Sequence, residues 1–118
     1  MKATIYGLID PNTHQVRYVG RTIQTAALRW HHHIGEARRG KNTHEVYNWI
    51  RSLRPALPVL VILQEGVDVI QMGSRGWNTA QAAETKWMKR LERSRQILRI
   101  EPPTHRHHRR MNVLHMQR

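Results

Sequence analysis

Cysteine is absent from this 118-residue chain, which excludes a disulfide framework and any cysteine-ligated zinc. A bound metal has only oxygen and histidine ligands to draw on. Acid is scarce: eight Asp and Glu stand against twenty Lys and Arg, a formal charge of +12 and a pI near 11.6. Such an imbalance attracts polyanions, nucleic acid first and an anionic membrane surface second. The basic residues are spread along the chain rather than gathered on one amphipathic helix, which argues against the membrane. No apolar run approaches the roughly 20 residues that span a bilayer, and Met1-Lys2-Ala3-Thr4 leads into strand-like residues rather than a signal peptide. The expectation is an intracellular, cytoplasmic protein with nucleic acid and not a membrane as its partner. Internal repeats are absent too. The length suits one domain with a single modest core.

What is present reads as a compact mixed order. Residues 3–9 and 15–19 have strand composition, and Asp10-Pro11-Asn12-Thr13 between them is turn chemistry, so they form a β-hairpin. From Thr25 the spacing becomes helical, with Ala26, Ala27, Trp30, Ile34 and Ala37 on one stripe until Gly40. Asn42 with Glu45 resembles a capping box for a second helix whose apolar face is Val46, Trp49, Ile50 and Leu53, ending before Pro55. The unbroken apolar run 59–63 suits a strand covered on both faces. After a loop over 72–77, Asn78 and Gln81 cap a third helix running to about Arg93. The order is β-β-α-α-β-α, an α/β chain of the α+β kind with a small three-stranded antiparallel sheet flanked by helices. Beyond Pro102-Pro103, the stretch from His105 to Arg118 holds four arginines, four histidines and no acid. We divide the chain into a domain, 1–103, and a basic tail, 104–118, with a short helix around Met111 to Met116.

Some polar positions are not explained by packing. At about 100° per residue, Arg29 and His33 share a helical face along the border of the apolar stripe, while His32 points away. For His31 and His32 a solvated surface is the better reading, whereas spacing leaves His33 open between that and a working group. Glu84 has Ala80, Ala83, Trp87, Met88 and Leu91 around it on the third helix. A carboxylate on an apolar face loses hydration and needs a cation, a donor or a metal. Its plain explanation is a salt bridge to one of the many arginines. Tyr6 and Tyr18 are compatible with ordinary strand packing. Trp30, Trp49 and Trp87 read as core, and Trp77 reads as a hydrophobic staple before the third helix, with base stacking as the other option.

The ordered series Thr-Ile-Tyr, eleven residues, Tyr-Val-Gly-Arg-Thr, Leu28-Arg29 with His33 four later, and a helix carrying Ala-Glu-Thr-Lys-Trp resembles the GIY-YIG nuclease family over roughly residues 3–100. Thr4 stands where that family has glycine and Val19 where it has isoleucine. The asparagine that usually follows the glutamate has no counterpart among Gln96, Arg99 and His105, and Asn112 is distant. The resemblance implies a metal-dependent DNA endonuclease that hydrolyses phosphodiesters with one Mg²⁺ or Mn²⁺. Tyr6, Tyr18, Arg29, His33 and Glu84 are the implied catalytic residues, with Glu84 the metal ligand. Arg29 would clamp a phosphate oxygen. Tyr6 would take the proton of the attacking water, with Tyr18 or His33 relaying, provided that nearby positive charge lowers its pKa from about 10. Arg17, Gly20, Arg21, Lys41, Arg106, Arg109 and Arg110 are expected on the nucleic-acid side, Gly20 by allowing close backbone approach. A binding module with this fold and little turnover is the alternative. Zinc or nickel on the tail's His105, His107 and His108 ranks below phosphate contact there, because arginines interleave them. The protein is expected to be a monomer or transient dimer.

Overall fold

The computed structural model describes residues 1–73 and 76–93. The tail, with Arg106, Arg109, Arg110 and the short helix expected near Met111, lies outside the described residues. β1 (Lys2–Ile9), β2 (Val16–Thr22), α1 (Ala26–Arg39), α2 (Glu45–Ser52), β3 (Val59–Asp68) and α3 (Thr79–Arg93) follow the expected order. All strand pairs are antiparallel and the spatial order is β2-β1-β3.

Local chemistry accounts for most element ends. The Thr25 side chain accepts from the Leu28 N–H at 3.2 Å to start α1, and Gly40 closes it in the left-handed region at φ 74°. Asn78 and Gln81 form a reciprocal capping box before α3, each side chain accepting from the other's backbone N–H at 2.9 Å. The box expected at Asn42 does not form. The Asn42 side chain instead accepts from the His44 N–H at 3.0 Å, an Asx turn that sets the start of α2 at Glu45.

In an antiparallel ladder, opposite residues share a face. Tyr6 lies opposite Gly20 and Leu8 opposite Tyr18, and this face packs on Ile34, Ala37, Val46, Trp49 and Ile50 of α1 and α2. Ile5 and Val19 face the other way, toward Met88 of α3. The sheet is therefore the middle of three layers, with Trp30 and Trp87 partly buried at the margins of the two clusters. The third strand is not covered on both faces as expected: β3 is an edge strand, and Val59 and Ile62 are 49% and 42% exposed. The doubly covered strand is β1, where Ile5, Tyr6 and Leu8 are fully buried. An apolar run identifies strand composition; which strand occupies the middle is decided by tertiary pairing.

Candidate active site

The polar groups gather at the sheet end where β2 leaves toward α1. Tyr6 projects from the central strand and is fully buried, and His33, reaching in from α1, is 1% exposed. The Tyr6 hydroxyl and His33 Nε2 are 2.8 Å apart. Tyr18 stands diagonally beside them, its ring 6.1 Å from Tyr6 and 5.1 Å edge-on to His33. Gly20 makes this arrangement possible. A Cβ there would lie 2.6 Å from the Tyr6 Cζ and Oη and 2.7 Å from Tyr18 Cε2. The close approach anticipated at Gly20 is thus made by the protein's own phenols.

Protonation follows from burial. Burial pushes the Tyr18 phenol up to about 12, with the Glu84 charge adding to the rise and the Arg29 charge opposing it. The Tyr6 phenol is raised further, again chiefly by burial and then by Tyr18. His33 is pushed down to about 3 by burial, then by the Arg29 and His32 charges. Among the protein's own groups, desolvation outweighs the Arg29 charge, so the Tyr6 phenol is raised rather than lowered, and Tyr6 is fully buried. Tyr18, 8% exposed, is the phenol at the edge of the layer. Which group donates in the Tyr6–His33 contact depends on the imidazole tautomer. Nδ1 is buried with no hydrogen-bond partner among the described residues.

The low His33 pKa has a stability consequence. In the unfolded chain His33 titrates near 6.5, whereas the native residue stays neutral down to about 3. Between those values the unfolded state binds the extra proton, so stability falls as pH drops through the window. Urea unfolding at about pH 7 and about pH 4.5 should show His33 contributing on the order of 2 kcal/mol to that loss. His33→Gln should flatten the difference; an unchanged difference would contradict a buried neutral imidazole.

Arg29 stands half-buried at the first turns of α1 and donates to the Tyr47 hydroxyl, while the Tyr47 ring lies 5.9 Å from His33. Tyr47 escaped sequence reasoning. Its only signal was a place beside the apolar face of α2, and its contact with Arg29 depends on how α2 folds back on α1. Glu84 is buried on α3, at 5% exposure, with Arg21 Nη1 2.5 Å from its Oε1. It lies on the α3 side of the sheet rather than on the surface of the tyrosines, as Arg21, opposite Ile5, points that way. Its charge still reaches both phenols. The two sets meet at a cleft of about 400 Å³ at the sheet end, lined by Arg21, Thr22, Arg29, Asn78 and Ala80 among others.

Two basic residues depart from expectation. Arg17 is buried at the opposite end of β2, 3.7 Å from Asp10 and over the Trp49 ring at 5.2 Å, where Asp10 also caps the hairpin turn. It secures the hairpin to α2 and presents no charge to a nucleic acid. Lys41 is exposed but lies beyond the far end of α1, about 18 Å from Arg29 by helical rise.

A single carboxylate completed by water and phosphate oxygens is an ordinary Mg²⁺ donor set, and Glu84 fits that description. Its Oε1 is held by Arg21, so a cation competes with an ion pair for it. Among the described residues no group of three or more His, Asp or Glu is arranged to hold a metal. No described helix is long and apolar enough to cross a membrane. No family model matches the chain, and neither a curated protein nor a solved structure matches it.

Proposed function

We propose that this protein is a Mg²⁺- or Mn²⁺-dependent DNA endonuclease of the GIY-YIG kind. One observation carries the reading: Arg21 and Arg29 line a single cleft, Arg21 is ion-paired with the buried Glu84, and the Arg29 charge acts on the buried Tyr6, Tyr18 and His33. A structural core has no need of that many polar groups in one place, and perturbed titratable groups beside a cleft are the usual candidates for a functional site.

In this reading Arg29 binds a non-bridging phosphate oxygen and offsets charge developing on phosphorus, while Tyr47 fixes the guanidinium. Glu84 would hold the cation, which when bound supplies charge neutralisation at the phosphate and the departing oxygen. The proton of the attacking water moves inward: water to Tyr18, Tyr18 to Tyr6, Tyr6 to His33 Nε2. For this the imidazole starts with its proton on Nδ1 and ends as imidazolium. A phosphate on Arg29 neutralises one of the charges that hold the His33 pKa down, so substrate makes the imidazole a better acceptor. Tyr18 is the phenol that meets water, and Tyr6 passes the proton on.

Incubation of purified protein with supercoiled plasmid in Mg²⁺, Mn²⁺ or EDTA tests the proposal. Nicked and linear products in the metal arms and none in EDTA are expected. Gel shifts without nicks in all three arms would overturn the catalytic reading in favour of a binding module.

A further inference from the structure

Among the described residues, four exposed apolar side chains come from the arginine cleft and the segment that flanks it. Ile23, at 61%, lines the arginine cleft; Ile70 at 58%, and Trp77 at 41%, are chain neighbours of Val69 and Asn78, which line it too. Met72, 41% exposed, belongs to the same loop. Exposed apolar groups clustered at a charged cleft mark an interaction site rather than incomplete folding.

Trp77 is the largest of them, and its backbone is fixed. Its carbonyl accepts from the Met72 N–H at 2.7 Å, Gln71 and Asn78 form an antiparallel bridge, and the Thr79 N–H donates to the Ile70 carbonyl at 3.0 Å. The next residue, Asn78, is locked in the capping box. Trp77 is 41% exposed and belongs to neither apolar cluster. A hydrogen-bonded backbone thus holds a large, partly solvent-exposed π-face one residue from Asn78, which lines the cleft with Arg21 and Arg29.

We infer that Trp77 is a stacking platform for an unpaired base of the DNA strand whose phosphate enters the arginine cleft, so that the protein favours single-stranded or flapped DNA over blunt duplex. This rests on the nucleic-acid reading above. The pairing of phosphate-binding arginines with an exposed aromatic is the general chemistry of single-strand recognition, and bases inside a duplex have no free face to offer an indole. Charge complementarity selects the polyanion, and the indole selects its unpaired bases.

The test uses the full-length protein in EDTA at fixed salt with three DNA probes: a single strand carrying 2-aminopurine, the corresponding blunt duplex, and a duplex with a single-stranded flap. Trp77→Ala should weaken single-strand and flap binding by about tenfold and abolish the 2-aminopurine fluorescence change, with the duplex altered less than about twofold. Trp77→Phe should retain most of the affinity and Trp77→Leu should not, because a π-face rather than apolar volume is required. Equal losses on all three probes, no loss on any, or rescue by leucine would overturn the inference. Failure of the wild type to bind any probe would instead remove the nucleic-acid reading itself, and this inference with it.

Discussion

Glutamine in place of Glu84 is expected to lower Mg²⁺-dependent plasmid cleavage by about a thousandfold or more, since charge stabilisation at the reacting phosphate is among the largest single contributions to such catalysis. Glutamine keeps the shape of the side chain and leaves an amide oxygen to accept from Arg21, so the fold should survive: the thermal midpoint should move by no more than about 4 °C, equivalent to about 1 kcal/mol. Binding to DNA in EDTA should be retained or modestly strengthened, because removing the carboxylate charge releases Arg21 from its 2.5 Å ion pair and adds to the positive potential of the cleft. Cleavage by the variant within about tenfold of wild type would place the reaction elsewhere, for the remaining nearby groups cannot replace a carboxylate. Weaker DNA binding together with a lower midpoint would instead make Glu84 a structural anchor, the plain explanation of its burial.

The second large effect is on folding. Gly20→Ala adds one carbon 2.6 Å from Tyr6 Cζ and Oη and 2.7 Å from Tyr18 Cε2. Neither ring has room to yield: Tyr6 is fully buried and bonded to His33, and Tyr18 is packed edge-on to the same imidazole. A stability loss of about 3 kcal/mol is expected, at the upper end of overpacking costs, measured by denaturant unfolding. Gly35→Ala is the control. Its added carbon meets only Arg39 Nη1, at 3.6 Å, and in the interior of α1 alanine should stabilise by up to about 1 kcal/mol. Comparable losses at the two positions would show that the tyrosine layer is looser than its geometry.

The sequence carried the local features and the structure added the distant ones. The hairpin, the Asn78–Gln81 box, the Gly40 stop and the burial of Glu84 are all set by residues within about two helical turns, where periodicity and capping chemistry speak directly. The failures share the opposite character. Arg21 meets Glu84 from 63 residues away, Tyr47 meets Arg29 only once α2 folds back, and the edge position of β3 depends on which strands pair. Arg17 is the instructive case. In a sequence with twenty basic residues it looked like one more phosphate contact, yet Asp10, one of the few acids, lies across the hairpin from it. His33 falls between: its helical face was readable, but its complete burial was not, since a border position becomes interior only when a second helix covers it.

The strand order β2-β1-β3 also shapes how the protein is made. β1 leaves the ribosome before β2 and β3 and is the central strand of the finished sheet. β2 can pair with it early through a short turn, but the opposite edge of β1 stays open until Val59–Asp68 has been synthesised, about fifty residues later. At roughly 5–20 residues per second that interval lasts several seconds. Closing it requires a long loop to be ordered before its contacts form, the kind of step that slows folding. The strand made first is the one completed last. Until then its apolar edge is exposed to other nascent chains, and the density of positive charge around it is well suited to keeping them apart.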